Sequence, residues 1–145
     1  MKKSIKSIIY LICICIVIFS LFSCSSTKAR GVNILSVDSI QVIEEINNPT
    51  LLEACMNWQL SKDDVKEIFN NAHQISETEK TRSYYSTPCE IWGTLEKDSI
   101  PFSFEINGGA TITLISQDKT YAHYGCSATP CEPYFLIMPD GMSGL

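Results

Sequence analysis

Basic residues, histidines and the short motifs of common chemistries are all scarce in this chain. Lysine and arginine number 11, against 16 aspartates and glutamates. Nucleic-acid binding requires cations to neutralise phosphates, so this balance argues against it. The only histidines are His73 and His123. No Cys-x-x-Cys pair is present, and no Cys-x-x-Cys-His, so the usual zinc spacing and covalent haem attachment are both missing. There is no Gly-x-Ser-x-Gly elbow for a serine hydrolase and no glycine-rich loop for phosphates. These absences predict no cofactor and no metal, and they lean away from an enzyme.

An uncharged run is present, but it is short. It extends from Ile8 to Phe22 behind Lys2, Lys3 and Lys6. A basic start followed by about 15 apolar residues reads as an export signal. A membrane-spanning helix needs roughly 20. The run ends Leu21-Phe22-Ser23-Cys24. With an apolar residue at −3, a small one at −1 and then a cysteine, it resembles the lipobox of bacterial lipoproteins; Phe22 is bulkier than that position usually carries. The resemblance implies a signal over residues 1–23, lipidation at Cys24 and a membrane anchor of two or three acyl chains. An ordinary secretory signal cleaved nearby and an uncleaved anchor are the alternatives. Ser25 stands where aspartate would mark inner-membrane retention in enteric lipoproteins, which implies an outer-membrane location facing the periplasm. Residues 24–31 then read as a polar tether, and residues 32–145 as a single domain.

Loss of the signal leaves eight basic residues against 16 acidic ones, a net charge near −8. Such a surface favours a basic protein partner and steers it from a distance. Simple solubility is the plainer explanation of the same charge. Four cysteines remain beyond the tether: Cys55, Cys89, Cys126 and Cys131. Export permits disulfides, and an even number supports pairing. Three connectivities are open. Cys126 with Cys131 would close a short Pro-containing loop and leave Cys55 with Cys89, whereas Cys89 to Cys126 or Cys131 would cross the two halves. His123-x-x-Cys126-x4-Cys131 offers only three metal ligands, and bonded thiols cannot serve, so disulfides are expected over metal.

The hydrophobic pattern predicts an α+β fold: two layers, with one main helix packed on a four- to five-stranded antiparallel meander. A small open barrel capped by the helix is the alternative. Residues 32–46 alternate imperfectly and give one strand or two. Asn47-Asn48-Pro49 is a turn, and residues 50–60 are a short helix or an irregular buried segment. Ser61 with Asp64 makes a capping box, and Val65, Ile68, Phe69 and Ala72 form the apolar stripe of the main helix, which fades by Ile75. Residues 76–82 carry only polar and charged side chains and read as an exposed loop. Period-two alternation begins near Tyr84. Ile91, Gly93 and Leu95 share one face. Ile100, Phe102, Phe104 and Ile106 share another strand, and Asn107-Gly108-Gly109 is a hairpin turn whose residues tolerate positive φ. Ala110, Ile112 and Leu114 continue on one face, with Thr111 and Thr113 opposite. Residues 121–125 are a fourth strand and residues 134–138 a possible fifth.

Trp92, Tyr84, Tyr85, Tyr121 and Tyr124 fall in one region of this meander and form the candidate binding surface. Packing of Trp92 beneath a loop is the alternative. Glu90, Glu96 and Glu105 sit on adjoining strands, so a carboxylate pair for glycoside chemistry is geometrically available, although outward-facing glutamates are common on half-exposed sheets. His123 reads as a rim histidine. Size, anchoring and charge are similar in outline to immunity proteins and periplasmic lysozyme inhibitors. The expected function is therefore an envelope-anchored module that binds and neutralises a cell-envelope hydrolase or toxin. A structural accessory of an envelope assembly is the second expectation. A hydrolase using Glu90, Glu105 or His123 is the third.

Overall fold

The computed structural model describes residues 31–117 and 119–139. The signal segment, Cys24 and all of the tether except Gly31 lie outside the described residues. Six strands form one open, wholly antiparallel sheet in the order β1-β3-β4-β5-β6-β2. They are β1 (Val32–Val42), β2 (His73–Ile75), β3 (Cys89–Lys97), β4 (Ile100–Asn107), β5 (Thr111–Ser116) and β6 (Lys119–Gly125). Among the described residues three α-helices accompany them: α1 (Pro49–Asn57), α2 (Lys62–Asn71) and α3 (Glu77–Ser83). The fold is α+β, with more strands and more helices than the alternation predicts. The edges β1 and β2 do not pair with each other, so the sheet does not close into a barrel.

The main helix forms where its sequence signals stand. The Ser61 hydroxyl accepts from the Asp64 amide, and the Asp64 carboxylate accepts from the Ser61 amide in return. Its stripe of Val65, Ile68 and Phe69 is fully buried. It faces the apolar side of the sheet, where Ile91, Leu95, Phe104, Ile106, Ile112 and Leu114 are also fully buried. The Phe69 ring meets Phe104 and Tyr124 edge-on, at centroid distances of 6.1 and 6.0 Å. Asn48 is the cap of α1 rather than part of a free turn, with Pro49 at the first helical position.

Three expectations fail for identifiable reasons. The main helix does not extend toward Ile75; it ends at Asn71, and His73–Ile75 pairs with β6 as an edge strand. Three residues are too few to show a period. Residues 77–83 are helical and not a loop. Ser76 caps α3 by accepting from the Glu79 amide, with Lys80 and Arg82 in the last turn. No residue of α3 is buried, so it carries no apolar stripe to betray it. Residues 134–138 form no full strand. Pro130 and Pro133 instead support a 3₁₀ turn over Thr129–Tyr134, after which the Leu136 and Ile137 amides both donate to the Gly108 carbonyl.

Of the three disulfide connectivities, the structure has Cys55–Cys89 and Cys126–Cys131. The first joins α1 to the start of β3 across a separation of 34 residues. In the chain-entropy account such a closure contributes about 3–4 kcal/mol.

Candidate functional site

Alternation gives the sheet a second face, opposite the core. Glu90, Trp92 and Thr94 of β3 point to it, as do Ser103, Glu105 and Asn107 of β4, Thr111 and Thr113 of β5, and His123 of β6; cross-strand pairs such as Trp92 with Glu105 and Thr113 with His123 align them. Helix α3 lies over the β5–β6 side of this face. With no buried side chain of its own, it is held by polar tethers. Lys80 Nζ donates to Thr113 Oγ1 at 3.2 Å, Thr113 Oγ1 lies 3.2 Å from His123 Nδ1, and His123 Nε2 meets the Glu77 carboxylate. His73 Nε2 stands 4.0 Å from Glu79. Both histidines of the chain therefore face the acidic first turn of α3.

Burial depresses the His123 imidazole below its ordinary range, and the nearby Lys80 ammonium adds to this, with Glu77 opposing. The neutral ring must donate from Nε2 to Glu77 and so accept at Nδ1 from the Thr113 hydroxyl; this tautomer follows from the hydrogen-bond network. The tethers thus form one directed chain from Lys80 through Thr113 and His123 to Glu77.

Between α3 and the sheet lies a cavity of about 360 Å³, within the size range of small-ligand sites. Glu77, Lys80 and Thr81 form one wall, and Tyr84, Tyr85 and Ser86 of the segment after α3 form another. The sheet provides the floor through Glu90, Glu105, Asn107, Thr111 and Thr113. Desolvation raises the Glu105 carboxyl above its usual range; the neighbouring Glu90 raises it further, and Lys80 opposes. Burial likewise raises the Tyr84 phenol.

The aromatic wall is fixed by one buried side chain. Asn107 Oδ1 accepts from the Thr87 and Gly109 amides at 2.9 and 3.0 Å, and its Nδ2 donates to the Thr87 carbonyl at 2.8 Å. This clamps residues 84–88 against the β4–β5 turn. The two glycines of that turn are there for close approach rather than for positive φ, which falls on Ala110 instead. A Cβ on Gly109 would overlap the Tyr85 carbonyl, and one on Gly125 would overlap the Tyr84 phenol.

The five expected aromatics are not brought together. Tyr84 and Tyr85 line the cavity. Tyr124 is a correction: it points to the opposite face and is buried against Phe69, because its register partner is Ile112 of the core row. Tyr121 packs on the Phe102 ring at 4.8 Å, away from the cavity and 60% exposed. Trp92 shares the cavity's face of the sheet but is half-buried, and its indole N–H is buried without a hydrogen-bond partner. Of the three glutamates, Glu90 and Glu105 share the cavity floor while Glu96 lies beyond it. Sequence reasoning missed Glu77, Lys80 and Asn107. The Ser76-x-x-Glu79 cap and the alternating threonines of β5 were the available signals.

Among the described residues no group of three or more histidine, cysteine or acidic side chains is placed to hold a metal ion, and no helix is long and apolar enough to cross a membrane. Comparison of the chain with protein-family models, with curated proteins and with solved structures finds no match.

Proposed function

We propose that this protein is an envelope-anchored lipoprotein that binds and neutralises a basic protein acting on the cell envelope, such as a wall-degrading hydrolase or toxin. The observation that carries this reading is the cavity on the second face. It gathers three carboxylates, Glu77, Glu90 and Glu105, around a single ammonium, Lys80, beneath a wall of two tyrosines. An acidic, aromatic-edged recess on an acidic protein complements a basic surface in both charge and shape. Anchoring at Cys24 would hold the recess where an envelope-directed partner arrives, and the two disulfides suit an exported compartment. The test is capture by the full-length chain in detergent micelles, using a panel of basic envelope hydrolases, together with protection of cells that express it. Retention of one hydrolase with loss of its activity is the expected result. No retention and no protection across the panel would refute the reading.

A second reading draws on one specific observation: Glu90 and Glu105 share one floor, and one of them is shifted toward the protonated form. Unequal carboxylates are the equipment of glycoside hydrolysis. On that reading, Glu105→Gln and Glu90→Gln would each abolish release of soluble fragments from peptidoglycan, and neither would lower thermal stability. Absence of release by the unsubstituted chain disposes of it.

A further inference from the structure

We infer that the cavity seats a single guanidinium group, the side chain of an arginine on the partner, held between the carboxylates of Glu90 and Glu105. The inference rests on the binding role proposed above and specifies its chemistry.

The cavity's own charges do not cancel. Glu77 is engaged by His123, and Lys80 is drawn to the Thr113 hydroxyl. Among the described residues no cation stands within ion-pair distance of Glu90 or Glu105. The two carboxylates lie on neighbouring strands as a diagonal pair, offset by two residues in register, with Glu90 opposite Asn107 and Glu105 opposite Trp92. Like charges so placed on a partly desolvated floor are unfavourable until a cation enters.

A second observation is independent of charge. Thr111 lines the same cavity and is 4% exposed; its hydroxyl joins none of the side-chain hydrogen bonds among the described residues, and its oxygen is open to the cavity, because the Trp92 indole nitrogen is the only sealed side-chain polar atom without a partner among those residues. A hydroxyl on a nearly buried residue that faces a cavity and has no protein partner is left available to a group that arrives from outside. The hydroxyl oxygen is an acceptor, as are both carboxylates.

Three acceptors spread over β3, β4 and β5 favour a planar fork over a point charge. A guanidinium presents five N–H donors in a fixed plane and can bridge two carboxylates and a hydroxyl together; an ammonium has three donors on one atom. A volume of about 360 Å³ exceeds what a bare ion needs. Tyr85, 50% exposed at the rim, offers a ring face on which the guanidinium plane or the arginine stem can lie. Lys80 opposes entry, and its tether to Thr113 holds its ammonium on the α3 side.

The test titrates the full-length chain in nonionic detergent micelles with N-acetyl-arginine amide, followed by amide chemical shifts. Saturable binding in the millimolar range is expected, centred on β3 to β5. Glu90→Gln and Glu105→Gln should each weaken it about tenfold, the loss of one charged hydrogen-bonding partner, and Thr111→Val should weaken it severalfold. Lys80→Met should tighten it, whereas Glu96→Gln, outside the cavity, should leave it unchanged. N-acetyl-lysine amide should bind more weakly. No saturable shift up to about 100 mM, undiminished binding in the Glu90→Gln/Glu105→Gln double variant, or equal binding of the lysine probe would overturn the inference. If the arginine probe binds and no basic hydrolase is captured, the neutralising role fails and the site stands. If a hydrolase is captured equally well by the double variant, the site fails and the role stands.

Discussion

Replacement of Asn107 by alanine is the sharpest single perturbation of this structure. Asn107 is the last residue of β4 and is buried. Its amide satisfies the backbone N–H groups of Thr87 and Gly109 and the Thr87 carbonyl, with a longer contact of 3.4 Å to Glu90 Oε1. Alanine removes all of these partners and supplies none. A buried backbone group left unpaired costs about 1–3 kcal/mol. Three such groups would sum to about 3–9 kcal/mol if the site stayed dry. Water entering from the adjoining cavity brings the expected loss to the low end, about 3 kcal/mol, a large part of the 5–15 kcal/mol that holds a typical domain folded. The assay is urea unfolding of the full-length chain, disulfides intact, followed by circular dichroism and extrapolated to water. Asn107→Asp separates the roles. It keeps the acceptor for both amides but sets another carboxylate beside Glu90, so its deficit should shrink as pH falls through the carboxylate range. Because the clamp positions residues 84–88, Asn107→Ala should also displace Tyr84 and Tyr85 and weaken the arginine probe. A stability loss below about 1 kcal/mol would mean that the clamp does not carry the aromatic wall.

The titrating groups and a close-packed glycine give three further expectations. His123 is depressed in the folded chain, so between that value and its ordinary 6.5 the unfolded chain binds the proton more readily. Stability should therefore fall as pH drops below 6.5, and His123→Asn should remove that part of the profile in a series of urea midpoints; a rise on acidification would reverse the assignment. Glu105 is raised, so its ionisation costs the folded state. Glu105→Gln should raise the unfolding midpoint at neutral pH, and the gain should vanish below the ordinary value of 4.5 in differential scanning calorimetry; a lowered midpoint at neutral pH counts against it. Gly93 faces the core between β1 and Phe104, where a Cβ would overlap both the Phe104 ring and the Ser36 carbonyl. Gly93→Ala should cost about 3 kcal/mol or abolish soluble expression, and a melting temperature unchanged from the parent would contradict this packing.

The apolar half of the molecule was legible in the sequence because its elements advertise their burial. The stripe through Val65, Ile68 and Phe69 and the alternation of Phe102, Phe104 and Ile106 call for a helix covering a sheet, and only the strand order decides for an open sheet over a small barrel. Length limits decided what was missed there. Strand β2 is three residues long, and the last expected strand is broken by Pro133 into a 3₁₀ turn with a single bridging residue behind it. The error over Tyr124 has a different origin. Period two assigns a side chain to a face only when the register is known, and a shift between Leu114 and Ile115 offsets β6 against β5. Tyr121 and Tyr124 therefore could not be sorted from the strand's sequence alone.

The polar half was legible only as composition. Glu90, Glu105, Thr111 and Thr113 alternate with core residues, and that is the pattern of a sheet with one face in water. What makes this face a site is α3, and α3 is written entirely in residues that read as loop. Polar tethers rather than an apolar stripe hold it, so hydrophobic periodicity does not detect it. The same choice has a functional consequence. A helix seated on buried leucines would have filled the space above β4 and β5. Glu77 and Lys80 instead reach the sheet through His123 and Thr113 at one side and leave the middle open. The features that hid the cavity from sequence reasoning are those that keep it polar and accessible to a charged group from outside.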